Sequence, residues 1–147
     1  MNPMDLPNPA LLVPIESEFW IDDGLVPPKA TAVVRGAPIS GAKFLAHALR
    51  QAREYSLRGK NMAAISVDLV VPPWPLDRIL AEQLATYSRY ATCPVAHLLD
   101  NGFEVLATGA PPHADLVLPA LGIMEAEHLA RLFAPNEEAN PHKNRRR

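Results

Sequence analysis

Sixteen of the 147 residues are proline, about twice ordinary usage. Each one fixes φ and removes a backbone donor, so no bundle of long helices can be threaded through them. The chain must instead be built from short elements joined by stiff loops. Prolines also divide it. Pro3, Pro7, Pro9, Pro14, Pro27 and Pro28 make residues 1–28 an arm rather than an element. That arm nevertheless carries Leu11, Leu12, Val13, Ile15, Phe19, Trp20 and Ile21, too much apolar surface to leave in water. Five acids (Asp5, Glu16, Glu18, Asp22 and Asp23) precede its first base, Lys29. The expectation is an acidic strap packed over the body or over a second subunit.

Residues 29–135 suit a single domain, with 48% of the chain apolar to supply its core. Thr31-Ala32-Val33-Val34 reads as a buried strand stopped by Arg35-Gly36 and Pro38. Ser40 suits an N-cap, and Phe44, Leu45, Ala48, Leu49, Ala52 and Tyr55 repeat at helical spacing as far as Gly59, giving a helix over 41–58. Residues 63–71 form the next strand. Strand, helix and strand together predict a βαβ unit with a right-handed crossover and parallel strands. Leu76, Ile79, Leu80 and Leu84 mark a helix over about 76–86, and residues 87–93 a short strand. A small helix follows over 95–100, then a 103–107 strand, a hairpin link, a 116–118 strand and a helix over 124–133. The order β-α-β-α-(β)-α-β-β-α describes an α/β domain around a mixed sheet. Residues 136–147, polar and ending in three arginines, are expected to fray.

Composition excludes several functions. A formal charge of -2 is not that of a polycation, and one cysteine builds neither a disulfide scaffold nor a Cys-rich zinc site, which suits a reducing cytoplasm. No membrane span is expected, and the N-terminus lacks a basic segment before its apolar run. The chain contains no G-x-x-x-x-G-K-[ST], G-x-G-x-x-G, H-E-x-x-H or G-x-S-x-G motif and no paired ligands, so neither a metal nor a bound cofactor is expected.

Three polar features remain beside expected strands. Arg35-Gly36 at a strand end suits phosphate or carboxylate binding by the guanidinium and close backbone approach at the glycine, and equally an ordinary turn arginine paired with an acid. Ser66 and Asp68 share one side of a strand, where the hydroxyl suits a ribose and the carboxylate a base; the alternative is a satisfied backbone neighbour and a cap. Thr108-Gly109-Ala110-Pro111-Pro112-His113 is a stiff loop that would fix His113 for acid-base work, with Thr108 beside the substrate phosphate, or it is simply a turn. Cys93, four residues before His97 and at a helix start, suits a nucleophile or a buried core thiol. His47, His128 and His142 read as helix-surface or tail residues. Lys43, Arg50, Arg53, Arg58 and Lys60 stand against one acid, Glu54, a face for RNA phosphates, for an acidic partner, for the acidic arm of its own chain or of a dimer mate, or for water alone.

Several of these pieces, in this order, resemble a family of small uncharacterised actinobacterial proteins. The resemblance rests on Val33-Val34-Arg35-Gly36-Ala37-Pro38, His47-Ala48-Leu49-Arg50, Ala64-Ile65-Ser66-Val67, Pro75-Leu76-Asp77, Gly102-Phe103, Thr108-Gly109 and Pro112-His113, across roughly residues 30–135. Ala64 stands where that family shows glycine, and Ala114 where it shows an aromatic. The size is similar to that of toxin-antitoxin components. Arg35-Gly36 followed by Tyr90-Ala91-Thr92 resembles ADP-ribosyltransferase-like folds, without their catalytic glutamate pattern. That family implies no activity of its own; the likeness in size to toxin components, joined to the polar features above, gives the expectation of a toxin-type enzyme acting on NAD or RNA, with Arg35, Gly36 and Thr108 holding phosphate and His113, Ser66 and Asp68 at the chemistry, NAD entering as substrate. The alternative is a non-catalytic interaction module: an antitoxin, a subunit or a homodimeric scaffold.

Overall fold

The computed structural model describes residues 24–26, 29–36 and 39–143. Of the proposed 1–28 acidic strap, residues 1–23, 27 and 28 lie outside them. The elements in order are β1 (Gly24–Leu25), β2 (Thr31–Arg35), α1 (Gly41–Leu57), β3 (Ala64–Val70), α2 (Leu76–Arg78) continuing as a π-helical Ile79–Gln83, β4 (Arg89–Pro94), α3 (Val95–Asp100), β5 (Glu104–Ala107), β6 (His113–Val117), α4 (Ile123–Phe133), a 3₁₀ turn (Ala134–Asn136) and β7 (Glu137–Ala139). One seven-stranded open sheet results, ordered β1-β5-β6-β3-β2-β4-β7. The α/β class and single domain of the sequence reading are present.

The parallel βαβ unit is not. β2 and β3 pair antiparallel, with Thr31 opposite Val70 and Val33 opposite Asp68, and every other pairing in the sheet is antiparallel too, so the sheet is not mixed. The reason lies in where α1 goes. In a βαβ unit the helix carries the chain back to the starting end of the first strand. Here Gln51 of α1 reaches Ser66 on β3, and one turn later Tyr55 reaches Asp115 on β6. The helix steps sideways across neighbouring strands, and the chain enters β3 at the end where β2 finished.

Alternation along each strand separates two apolar clusters. On one face Ala32, Val34, Ile65, Val67, Leu69 and Leu116 pack with Phe44, Ala48, Leu129 and Phe133 from α1 and α4. Phe44 and Phe133 meet edge-on, centroids 6.0 Å apart. The two helices approach so closely that a Cβ on Gly41 would lie 2.9 Å from Glu127 Cα. On the other face Ile79, Leu80, Leu84 and Tyr90 cover Val33. Ser66 stands opposite Asp115, and Asp68 opposite His113, across β3 and β6.

Two expectations about the ends change. Residues 24–25 form edge strand β1 on β5, and the buried Val26 extends it with an N–H bond to Val105 O. Residues 136–143 do not fray. β7 pairs with β4, and the buried Asn140 side chain donates to the carbonyls of Leu80, Leu84 and Tyr87 at 3.4, 2.9 and 3.1 Å. Leu84 O also accepts the Tyr87 N–H, and the Asn140 amide ties this carbonyl and its two neighbours in the π segment and the following loop to the end of the sheet. Asn140→Ala therefore removes a buried donor that three carbonyls share, and urea denaturation is expected to show a loss of about 2 kcal/mol.

Candidate functional site

The ladder between β2 and β3 runs only as far as Val33 and Asp68. Beyond that pair the strands part. Gly36, at φ +92°, turns the chain away toward α1 in a conformation that side chains resist, with its N–H bonded to Arg89 O. The parting leaves the Ser66 N–H without its neighbour strand. His47 of α1 takes it instead, Nε2 accepting at 3.3 Å, while Gln51 donates its amide to Ser66 Oγ at 3.1 Å.

Between the parted strands and α1 lies a cleft of about 380 Å³. Its polar lining is Arg35, Lys43, His47, Arg50, Ser66 and Tyr87, and no lining residue is acidic. Arg35 lies with Cζ 5.4 Å from the Tyr87 ring centroid. The first turn of α1, capped by Ser40 accepting from the Lys43 N–H, borders the same space and adds the positive end of the helix dipole. His47 is neutral here: its Nε2 is occupied as an acceptor. Burial first, and then the charges of Arg35, Arg50 and His113, push its pKa down to about 4.

Asp68 and His113 continue the polar face, directly opposite each other across β3 and β6. Asp68 is 8% exposed, and burial raises its pKa, against the pull of His113 and Arg35. His113 Nδ1 lies 3.1 Å from both the carbonyl and the hydroxyl of Thr108. A carbonyl only accepts, so Nδ1 carries the proton and Nε2 is the basic nitrogen. The stiff loop is pinned in turn, because Pro112 O accepts the Leu69 N–H at 2.8 Å.

The structure thus brings Arg35, Gly36 and Ser66 to the cleft and sets Asp68 and His113 beside it, with the charge of Arg35 felt at both Asp68 and His47. Thr108 is not among the residues lining the cleft; it orients His113. Cys93 is fully buried, its thiol pushed up to about 11, and His97 is exposed, so this pair forms no nucleophile. His47 is not a bare surface residue. Its stripe, His47, Gln51 and Tyr55 at spacings of four, runs beside the apolar stripe Phe44–Ala48. The spacing of four was there to be read; its register against Ser66 and Asp115 was not. His128 bonds Asn101, and His142 bonds Asp77.

Together the residues make a cleft lined by cations, with a carboxyl-imidazole pair at its side. Comparison with protein families, curated proteins and solved structures returns no match. Among the described residues, no group of His, Cys, Asp and Glu could hold a metal ion, and no helix is long and apolar enough to cross a membrane.

The His47 bond sets a pH response. Its folded pKa lies below the ordinary 6.5, so between these values the unfolded chain binds a proton that the folded chain refuses. Stability is expected to fall as pH drops from 6.5 to about 4 and to lose this dependence below. His47→Gln, which keeps an acceptor and does not titrate, should flatten that part of the urea-midpoint profile.

Proposed function

We propose that the protein is a small toxin-type enzyme working in the cytoplasm on a nucleotide phosphate, RNA or NAD. The observation that supports this reading is the carboxylate-free cleft, with Arg35, Lys43 and Arg50 around Ser66. Guanidinium groups hold phosphate oxygens bidentately, and Gly36 admits the ligand close to the backbone. Ser66 accepts from Gln51, which leaves its own O–H to donate to a ribose oxygen.

The Asp68–His113 pair supplies acid and base. On RNA, His113 Nε2 takes the proton of a ribose 2′-hydroxyl as that oxygen attacks the adjacent phosphorus. The phosphorus–5′-oxygen bond breaks, and the leaving oxygen takes the proton of the Asp68 carboxyl, which burial helps retain. On NAD, the same nitrogen takes a proton from water attacking the ribose C1′, and nicotinamide leaves with the bonding pair. Thr108 acts through His113 by holding its tautomer.

Calorimetry with uridine 5′-monophosphate tests the cleft: Arg35→Gln should weaken binding at least about tenfold, the loss of one charged bidentate contact. His113→Ala should leave that binding intact and lower RNA cleavage or nicotinamide release by about 10²–10⁴-fold. No binding by the unaltered chain sinks the reading.

A second reading, as a homodimer or subunit, is favoured by Leu121, Ile123 and Met124, which stand 43%, 43% and 76% exposed at the start of α4. Light scattering of the full chain, with Met124→Lys as control, tests it: a monomer in both removes this reading.

A further inference from the structure

We infer that the cleft is one end of a track for single-stranded RNA running along α1, so that the substrate is a polynucleotide rather than a dinucleotide. The inference rests on the phosphate-binding reading of the cleft. Lys43 and Arg50 line it, Arg53 is exposed a turn further on, and Arg58 and Lys60 close the helix. Against these five cations stands only Glu54, an excess of four positive charges within residues 43–60 of a chain whose formal charge is -2. Concentration of charge on one element is the electrostatic footprint of a phosphate backbone.

The arrangement runs against what the helix alone prefers. A helix gains from acids in its first turn and bases in its last. The last turn itself holds no base, and Arg58 and Lys60 lie at and beyond its cap. The first turn breaks the rule: it holds Lys43 and no acid. A cation there disfavours the helix and favours an anion lying over its N-terminal end.

At the far end the cations are held in place. Arg58 Cζ lies 4.8 Å and Lys60 Nζ 5.9 Å from the ring centroid of Tyr55, whose hydroxyl is bonded to the buried Asp115. From Lys43 to Arg58 is about 22 Å at 1.5 Å per residue. That length suits about four nucleotides, the short end of single-strand sites. The cleft itself is at the small end of the ~300–1,000 Å³ of ligand pockets, room for one nucleotide and none for a duplex. Tyr55 is 6% exposed and offers no stacking surface, so recognition along the track is by phosphate and carries little base preference.

The test measures binding of uridine 5′-monophosphate and of oligouridylates two, four and six nucleotides long. Affinity should rise by about 100-fold or more up to four nucleotides and then level off. Arg53→Glu, an exposed single change, should cost the four-nucleotide ligand on the order of tenfold and the monophosphate nothing. The triple variant Arg53→Gln, Arg58→Gln, Lys60→Gln should lower the magnitude of the log-affinity against log-salt slope by about 2. Length-independent affinity, an unchanged oligonucleotide affinity in Arg53→Glu, or equally tight binding of duplex RNA overturns the track. If the monophosphate still binds, the cleft reading survives that failure; if no ligand binds, both fall.

Discussion

The premature end of one ladder organises the functional side of this molecule. β2 and β3 stay paired only to Val33 and Asp68 and then diverge. A β-strand N–H stripped of its neighbour is costly when it is not in water, and His47 answers that cost from α1. The helix is therefore tied across strands rather than laid back along them. The same tie opens a gap between strand ends, which cationic side chains line. Topology, cleft and charge follow from one displaced hydrogen bond.

Around it the polar groups are linked rather than scattered. Gln51 bonds Ser66, Tyr55 bonds Asp115, and Thr108 bonds His113. Ser66 and Asp115 face each other across one strand pair, as do Asp68 and His113. Such a network is stable because nearly every member donates or accepts within it. It includes two buried acids, Asp68 and Asp115, and burial disfavours the Asp68 carboxylate.

Local patterns in the sequence carried most of the elements. Apolar spacing from Phe44 to Tyr55, with the Ser40 cap and Gly59 at φ +78°, marked α1 to within a residue. Alternation marked Ile65, Val67 and Leu69, and turn residues bounded the β5–β6 hairpin. Strand direction was not legible, because it depends on where α1 crosses the sheet, and that is decided by long-range contacts from His47, Gln51 and Tyr55. Asn140 was hidden for the same reason. Its partners are 53 to 60 residues away, and a polar tail reads as solvent-facing until its register with β4 is known. Of the candidate site, Arg35, Ser66, Asp68 and His113 announced themselves as polar residues beside strands. His47 did not, since a histidine on a helix acquires meaning only from what lies opposite.

The Asn140 clamp has a mechanical consequence. Its amide grips the carbonyl of Tyr87, and the ring of that same tyrosine forms a wall of the cleft beside Arg35. Force on the C-terminal end of the chain passes through one side chain to the place where the guanidinium rests. The strand β7 and the Asn140 after it are thus a tension member for the cleft, and their attachment sets how firmly that wall stands.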